Sequence, residues 1–217
     1  MLRREILRRL SYASGLLAFG GLVASCGSST SNASATLKRT PSQTEGPFYP
    51  VRKPKDLDQN LLRQGGNAEQ AAGEPLQLSG RVVDTDNQPV GGATVEIWQA
   101  DNSGIYNHPN APRREAFDMN FQGYGETRTD ADGRYSFLTI VPVPYTGRPP
   151  HIHVKVKTPG HDTLTTQLYI KGHPDNDSDG VLSRLLFRNK DMLMMDMRPA
   201  KPTGTQEGKA TDFDFVV

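Results

Sequence analysis

From Leu76 onward the chain alternates. Leu76, Leu78, Gly80 and Val82 are apolar or small, while Gln77, Ser79 and Arg81 between them are polar. A period of two sends successive side chains to opposite faces of a β-strand. Strands are therefore expected at Leu76–Val82, Ala93–Ala100, Arg134–Ile140 and Leu164–Ile170, with Asp212–Val217 as a closing edge or pairing strand. The stretches between carry turn chemistry, as in Asp84-Thr85-Asp86-Asn87-Gln88-Pro89, Asp101-Asn102-Ser103-Gly104 and Thr129-Asp130-Ala131-Asp132-Gly133. His108–Asn120 reads as a long loop, and a short helical turn is expected near Leu57–Leu62. Leu182–Met197 has ambiguous helix-like periodicity. Trp98 is expected in the core. Short strands at this spacing, divided by turn signals, predict an all-β fold: an antiparallel β-sandwich with long loops.

One strand carries more than packing. In His151-Ile152-His153-Val154-Lys155-Val156-Lys157 the two histidines stand at i and i+2, with Ile152, Val154 and Val156 on the opposite face. Two imidazoles side by side on a strand are a ready metal site. Pro144-Tyr145-Thr146-Gly147-Arg148-Pro149-Pro150 leads into it.

Composition narrows the partners. The 217 residues carry a formal net charge of +1. No basic stripe is present, so nucleic acid is not an expected partner. Cys26 is the single cysteine, which rules out an intramolecular disulfide. Residues 1–26 read as an export signal: a basic start, an apolar Ser11–Leu22, and Val23-Ala24-Ser25-Cys26, which resembles a lipobox. Arg3-Arg4-Glu5-Ile6-Leu7 resembles a twin-arginine signal. The expected product is exported, either membrane-anchored through a lipidated Cys26 or periplasmic or extracellular. Residues 27–43, rich in Ser, Thr, Asn and Ala, form a flexible tether, and residues 44–217 form the domain.

Two histidines do not complete a catalytic metal site. Further candidates are Tyr106 and Tyr145 at strand ends, and His108, His161 and His173, which read as solvated loop residues. Tyrosine is a poor ligand near neutral pH because its pKa is about 10. A hard trivalent cation stabilises the phenolate and changes that. A set of two tyrosines and two histidines therefore selects non-haem Fe(III) over Zn.

The chain resembles the intradiol ring-cleavage dioxygenases, the family of protocatechuate 3,4-dioxygenase and catechol 1,2-dioxygenase. The resemblance rests on Thr44-Glu45-Gly46-Pro47-Phe48-Tyr49, Ile97-Trp98-Gln99-Ala100-Asp101 through Gly104-Ile105-Tyr106, and Thr129–Phe137. It continues through Pro144-Tyr145, Arg148-Pro149-Pro150-His151-Ile152-His153 and Leu164–Tyr169, in family order. It implies that Tyr106, Tyr145, His151 and His153 ligate Fe(III), with Tyr106 and His151 equatorial and Tyr145 and His153 axial. It implies that Arg148, Gln167 and Tyr145 act in catalysis, and that Thr44, Pro47, Phe48 and Arg148 contact substrate. The reaction implied is cleavage of a catechol-type ring between its two hydroxyls by O2, giving a cis,cis-muconate-type product without an organic cofactor. The long loops are then active-site loops, and a homodimer is the expected assembly. One departure stands out: only Thr146 and Gly147 separate Tyr145 from Arg148, where the family usually has a longer loop.

A second reading comes from a different class. Gly80–Asp84, Pro89–Ala93 and Asp130–Tyr135 also resemble transthyretin-like and carboxypeptidase-regulatory sandwiches, which are binding modules. Such modules have no reason to bring Tyr106, Tyr145, His151 and His153 to one point. Asp175-Asn176-Asp177-Ser178-Asp179-Gly180 opens like a calcium loop, but Leu186 stands where Glu is needed, so it reads as a turn. Met192, Met194, Met195 and Met197 read as core or interface filler.

Overall fold

The computed structural model describes residues 36–65, 69–160 and 162–217. The export signal, Cys26, the first part of the tether and His161 lie outside the described residues.

Two five-stranded sheets form a sandwich. In the first, β1 (Pro75–Val83) pairs antiparallel with β4 (Arg134–Ile140). Its other edge takes β9 (Gly208–Asp212) and then β10 (Phe215–Val216), both parallel, with β8 (Arg198–Ala200) outside β9. The second sheet has β2 (Thr94–Trp98), β3 (Tyr124–Arg128), β5 (His151–Lys157), β6 (Leu164–Ile170) and β7 (Met194–Met195), in the order β3-β2-β5-β6-β7. The β2–β5 and β5–β6 ladders are antiparallel.

The predicted alternation sets the core. Leu76, Leu78, Val82, Phe137 and Ile140 of the first sheet pack against Val95, Ile97, Ile152, Val154, Val156 and Leu168 of the second, all fully buried. Each such side chain contributes about 1.5–3 kcal/mol. The same period sends Trp98, His151, His153, Lys155 and Gln167 to the outer face of the second sheet. Trp98 is thus buried as expected, but it belongs to a separate outer cluster with Tyr106 and Tyr124 rather than to the sandwich core.

An arm, residues 36–65, runs from the first sheet across that outer face; its start, expected within the flexible tether, is instead packed on the domain, with Thr40 buried and its N–H donating to Val216 O at 3.0 Å. It crosses the strands in turn. Gln43 N–H donates to Thr165 O on β6 at 2.8 Å, and Glu45 pairs with Lys155 on β5. Tyr49 Oη donates to Glu96 Oε2 on β2 at 2.7 Å, and Glu126 N–H on β3 donates to Leu57 O at 3.0 Å. The helical turn expected near Leu57–Leu62 is absent. Asn60 bridges to Leu138, and Leu61 and Leu62 plunge into the core, so pairing with β4 overrides local helix preference. The helix-like Leu182–Met197 resolves into a 3₁₀ turn (Leu182–Arg184), one helical turn α1 (Phe187–Lys190), a second 3₁₀ turn (Asp191–Leu193) and β7. The expected closing strand is split. β9 ends at Asp212 and β10 resumes at Phe215, with Phe213 N–H donating to Ser79 O at 2.7 Å between them.

Glu96 latches the arm. Its buried carboxylate accepts from Tyr49, from Lys53 Nζ at 2.9 Å and from Lys157 Nζ at 2.6 Å. Burial works to raise its pKa, but the hydrogen bonds from Lys157, Tyr49 and Lys53 more than offset this and hold it below the usual 4.5. A carboxyl lowered on folding stabilises the protein above its unfolded pKa and loses that contribution as pH falls through the folded value. Wild-type melting temperature is therefore expected to fall more steeply below about pH 4.5 than that of Glu96→Gln. Glu96→Ala is expected to cost about 2 kcal/mol at neutral pH, measured by urea unfolding.

Candidate metal centre

Two connections and the arm meet at one end of the second sheet. The β2–β3 connection carries Tyr106, the β4–β5 connection Tyr145 and Arg148, and the arm Thr44, Pro47 and Phe48. His151 and His153 come from the first turn of alternation in β5.

Local chemistry sets each placement. Asp101 is fully buried, and its Oδ1 accepts from Ser103 N–H at 2.9 Å and Ile105 N–H at 3.0 Å. Its Oδ2 accepts from Asp118 N–H at 2.8 Å, which fixes the loop that presents Tyr106. Tyr145 and Arg148 face each other across a two-residue hairpin turn, with Thr146 at φ 44° and Gly147 at φ 74°. Positive φ at both central residues is the type I′ signature, and a β-branched Thr there is strained. The short Tyr145–Arg148 connection noted in the sequence thus sets the two side chains beside one another. Gly46, at φ +74°, lies against the imidazole: a Cβ there would sit 3.2 Å from His153 Cε1.

Four rings close a circuit. Centroid separations are 5.0 Å for Tyr106–Tyr145, 5.3 Å for Tyr145–His151, 4.8 Å for His151–His153 and 6.0 Å for His153–Tyr106. The two histidine Nε2 atoms are 3.3 Å apart. Two nitrogens bound at right angles to one metal, each at about 2.1 Å, would be separated by about 3 Å. Pro149 O lies 2.7 Å from His151 Nδ1, which places the proton there and leaves Nε2 free as an acceptor. Trp98 stacks on His153 at 4.9 Å and 9°. Phe48 stacks on Tyr106 at 4.8 Å and meets Tyr145 edge-on.

The electrostatics fit a highly charged cation. Burial, with Arg148 adding to it, pushes His151 down to about 4, and burial with His151 and Arg148 holds His153 well below its usual range. Both imidazoles are neutral at neutral pH, with lone pairs available. Burial raises the phenol of Tyr106 well above 10 and raises that of Tyr145. The Tyr106 hydroxyl is buried beside that of Tyr145 and makes no well-formed hydrogen bond among the described residues. No cluster of three His, Cys, Asp or Glu forms among the described residues, and the side chains that complete the circuit around His151 and His153 are the phenols of Tyr106 and Tyr145. Ionising two buried phenols takes a strongly polarising metal, and Fe(III) fits that donor set.

Arg148 lies beside this circuit. Its Nη2 donates to Gln167 Oε1 at 2.8 Å and Tyr169 Oη at 3.2 Å. Gln167 Nε2 in turn donates to Thr44 O at 2.8 Å, tying the arm to β6. Thr44 thus contributes its backbone carbonyl, Phe48 supplies an aromatic wall, and Pro47 opens the turn between Gly46 and Phe48. Tyr169 was legible as the same-face neighbour of Gln167 on β6. Asp179, which receives two bonds from Arg148, was read only as part of a turn. His108 is not solvated as expected: it is 3% exposed, edge-on to Phe48, with Nδ1 accepting from Asn110 N–H at 3.1 Å. It stands outside the four-ring circuit. His173 lies in the β6–β7 connection, where it caps the 3₁₀ turn at Pro174–Ser178.

The profile of a family described as Dioxygenase matches residues 44–217. The chain is 33% identical over 179 residues to the protocatechuate 3,4-dioxygenase beta chain of Burkholderia cepacia, covering 79% of this chain and 75% of that one. It is 38% identical over 168 residues to the 6-chlorohydroxyquinol 1,2-dioxygenase of Cupriavidus pinatubonensis, covering 69% of this chain but only 56% of that one. Among solved structures, the dioxygenase domain of a dioxygenase–carbohydrate-binding fusion from Streptomyces sp. SirexAA-E superposes with a TM-score of 0.65 at 34% identity. The match covers 83% of this chain and 98% of that one. With the four-ring circuit in place, these matches show that the chain belongs to the intradiol ring-cleavage dioxygenase family.

Proposed function

We propose that this protein is a non-haem Fe(III) dioxygenase that cleaves a catechol-type ring between its two hydroxyls. Both atoms of O2 enter the product, a cis,cis-muconate-type dicarboxylate. The observation that carries this reading is the closed circuit of Tyr106, Tyr145, His151 and His153 beside Arg148. Ferric ion held by those four residues supplies Lewis acidity and a template for the catecholate.

The chain's own groups divide the remaining work. Tyr106, His151 and His153 are deeply buried and would hold the ion throughout. Tyr145 is only partly buried, so it is the group with room to yield its place, and its oxygen takes up a catechol proton as it does so. Arg148 is always charged and is oriented by Gln167 and Tyr169 to donate to negative charge that grows on the substrate oxygens. Phe48 and Trp98 wall the site and keep water from it. Ring plus O2 equals product in atoms and electrons, so no reductant is consumed. The short Thr146-Gly147 turn shapes the mouth of the site, where a cavity of about 210 Å³ is lined by Phe48, Tyr106, Tyr145 and Thr146. A binding module of the same architecture would have no use for two phenols gathered next to paired, buried histidines.

The test is isotopic. Catechol turned over under ¹⁸O2 by the iron-loaded protein is expected to give a muconate with two labelled oxygens. A ring-opened semialdehyde, formed by cleavage outside the hydroxyl pair, would overturn the assignment.

We further propose export and lipid anchoring at Cys26, supported by the lipobox-like Val23-Ala24-Ser25-Cys26. Cys26→Ser is expected to move the protein from the membrane fraction to the soluble one. A variant that still sediments with lipid would contradict the anchor.

A further inference from the structure

Asp179 is a carboxylate that the reaction just described does not use. It stands between two 3₁₀ turns, Pro174–Ser178 and Leu182–Arg184, in the β6–β7 connection. Its side chain is wholly buried, while that of Arg148 is 20% exposed. Asp179 Oδ1 accepts from Arg148 Nε at 2.6 Å, and Oδ2 accepts from Nη2 at 3.1 Å. This is the side-on bidentate geometry that fixes a guanidinium in its plane. Oδ2 also accepts from Leu182 N–H at 2.9 Å, and Leu182 is anchored in a small cluster with Tyr169 and Leu193. The carboxylate therefore has a rigid support of its own.

The consequence falls on Arg148. Nε and Nη2 are occupied by Asp179, Gln167 and Tyr169, and none of these bonds uses Nη1. The group is locked in rotation, with its remaining edge turned toward the Tyr145 phenol. Its charge is also balanced. Arg148 lies close to the histidines: it donates to Tyr169 Oη at 3.2 Å, and the Tyr169 ring is 5.7 Å from that of His151. A bare guanidinium at that place would repel a metal cation. With Asp179 behind it, the pair is neutral at a distance and still donates hydrogen bonds at close range.

We propose that Asp179 is a positioning residue for the reaction: it fixes and charge-balances Arg148 so that the guanidinium meets the anionic substrate in one orientation. The inference rests on the function proposed above. Asp179 does not touch the substrate; it acts through Arg148.

Two measurements test it. The first needs no turnover. In metal-free, full-length protein, the Nε–H resonance of Arg148, assigned by its loss in Arg148→Lys, is expected to be protected from solvent exchange. In Asp179→Asn its exchange is expected to quicken at least ~10-fold. An unprotected Nε–H in wild type would overturn the clamp, and this arm does not depend on the variant folding.

The second is a double-mutant cycle on iron-loaded protein. Asp179→Asn is expected to keep iron and its visible absorption, lower kcat by about 10²-fold and leave KM within about twofold. In an Arg148→Ala background the same change is expected to alter kcat less than about twofold. Equal losses in both backgrounds would show a purely structural role and overturn the proposal. If wild type turns over no catechol, the function reading fails by itself and the exchange measurement alone decides the clamp.

Discussion

A His153→Ala variant is expected to purify without iron and to turn over no catechol. His153 is buried, its Nε2 lies 3.3 Å from that of His151, and its ring is stacked on Trp98. Truncation removes a ligand outright, so the loss in metal affinity exceeds the ~10–100-fold that follows loss of an outer partner. The variant also leaves a hole beside Trp98, costing about 2–3 kcal/mol. Tyr106→Phe separates the two effects. It keeps the stack on Phe48 and removes only a buried oxygen that lies beside the Tyr145 hydroxyl and makes no well-formed hydrogen bond. It too is expected to lose iron, yet its metal-free form should be more stable than metal-free wild type by about 1 kcal/mol. Metal analysis and thermal unfolding of the metal-free proteins check both. A group whose removal stabilises the fold while abolishing the metal is retained for chemistry rather than packing.

Arg148→Ala is expected to do the opposite: iron stays and the rate falls. Arg148 is held by Asp179, Gln167 and Tyr169 and is not itself one of the four rings, so its loss leaves the donor set whole. What disappears is a fixed donor for charge that develops during the reaction, a loss of about 10²–10³-fold in kcat. Steady-state kinetics at matched iron content check this. An unchanged rate would remove Arg148 from the mechanism. Asp179 would then be left as a buried carboxylate without its partner, costing several kcal/mol, and the variant should melt earlier than wild type.

Alternation in the sequence anticipated most of the sandwich because one face of each strand is buried and the other is not. β5 is the clearest case, since Ile152, Val154 and Val156 fill the core while His151, His153 and Lys155 face outward. The same logic explains the misplaced Trp98: it is buried, but on the outward parity, where the arm makes a second apolar layer. Tyr124–Arg128 was not recognised as a strand because Gly125 interrupts it and the arm covers its outer side; a Cβ on Gly125 would lie 2.5 Å from Leu61 Cδ1. Leu61 and Leu62 sit in a polar stretch that only pairing with β4 draws inward.

The centre divides in the same way. Tyr106, Tyr145, His151, His153, Arg148, Gln167 and Phe48 all lie in motifs that a reader can quote, and the structure gathers them at one end of the second sheet. Asp179 and Glu96 do not. Asp179 reaches Arg148 across 31 residues and Glu96 reaches Tyr49 across 47, and nothing in the local pattern around either carboxylate names its partner. Only the fold shows that one holds the arginine and the other holds the arm.

The most direct measurement is the visible absorption spectrum of the iron-loaded protein, before and after anaerobic addition of catechol. Coordination of Tyr106 and Tyr145 to Fe(III) predicts a broad tyrosinate-to-iron charge-transfer band that shifts to longer wavelength as catechol binds. A protein that remains colourless after ferric loading, with no change on adding catechol, would contradict the ferric centre and the function built on it.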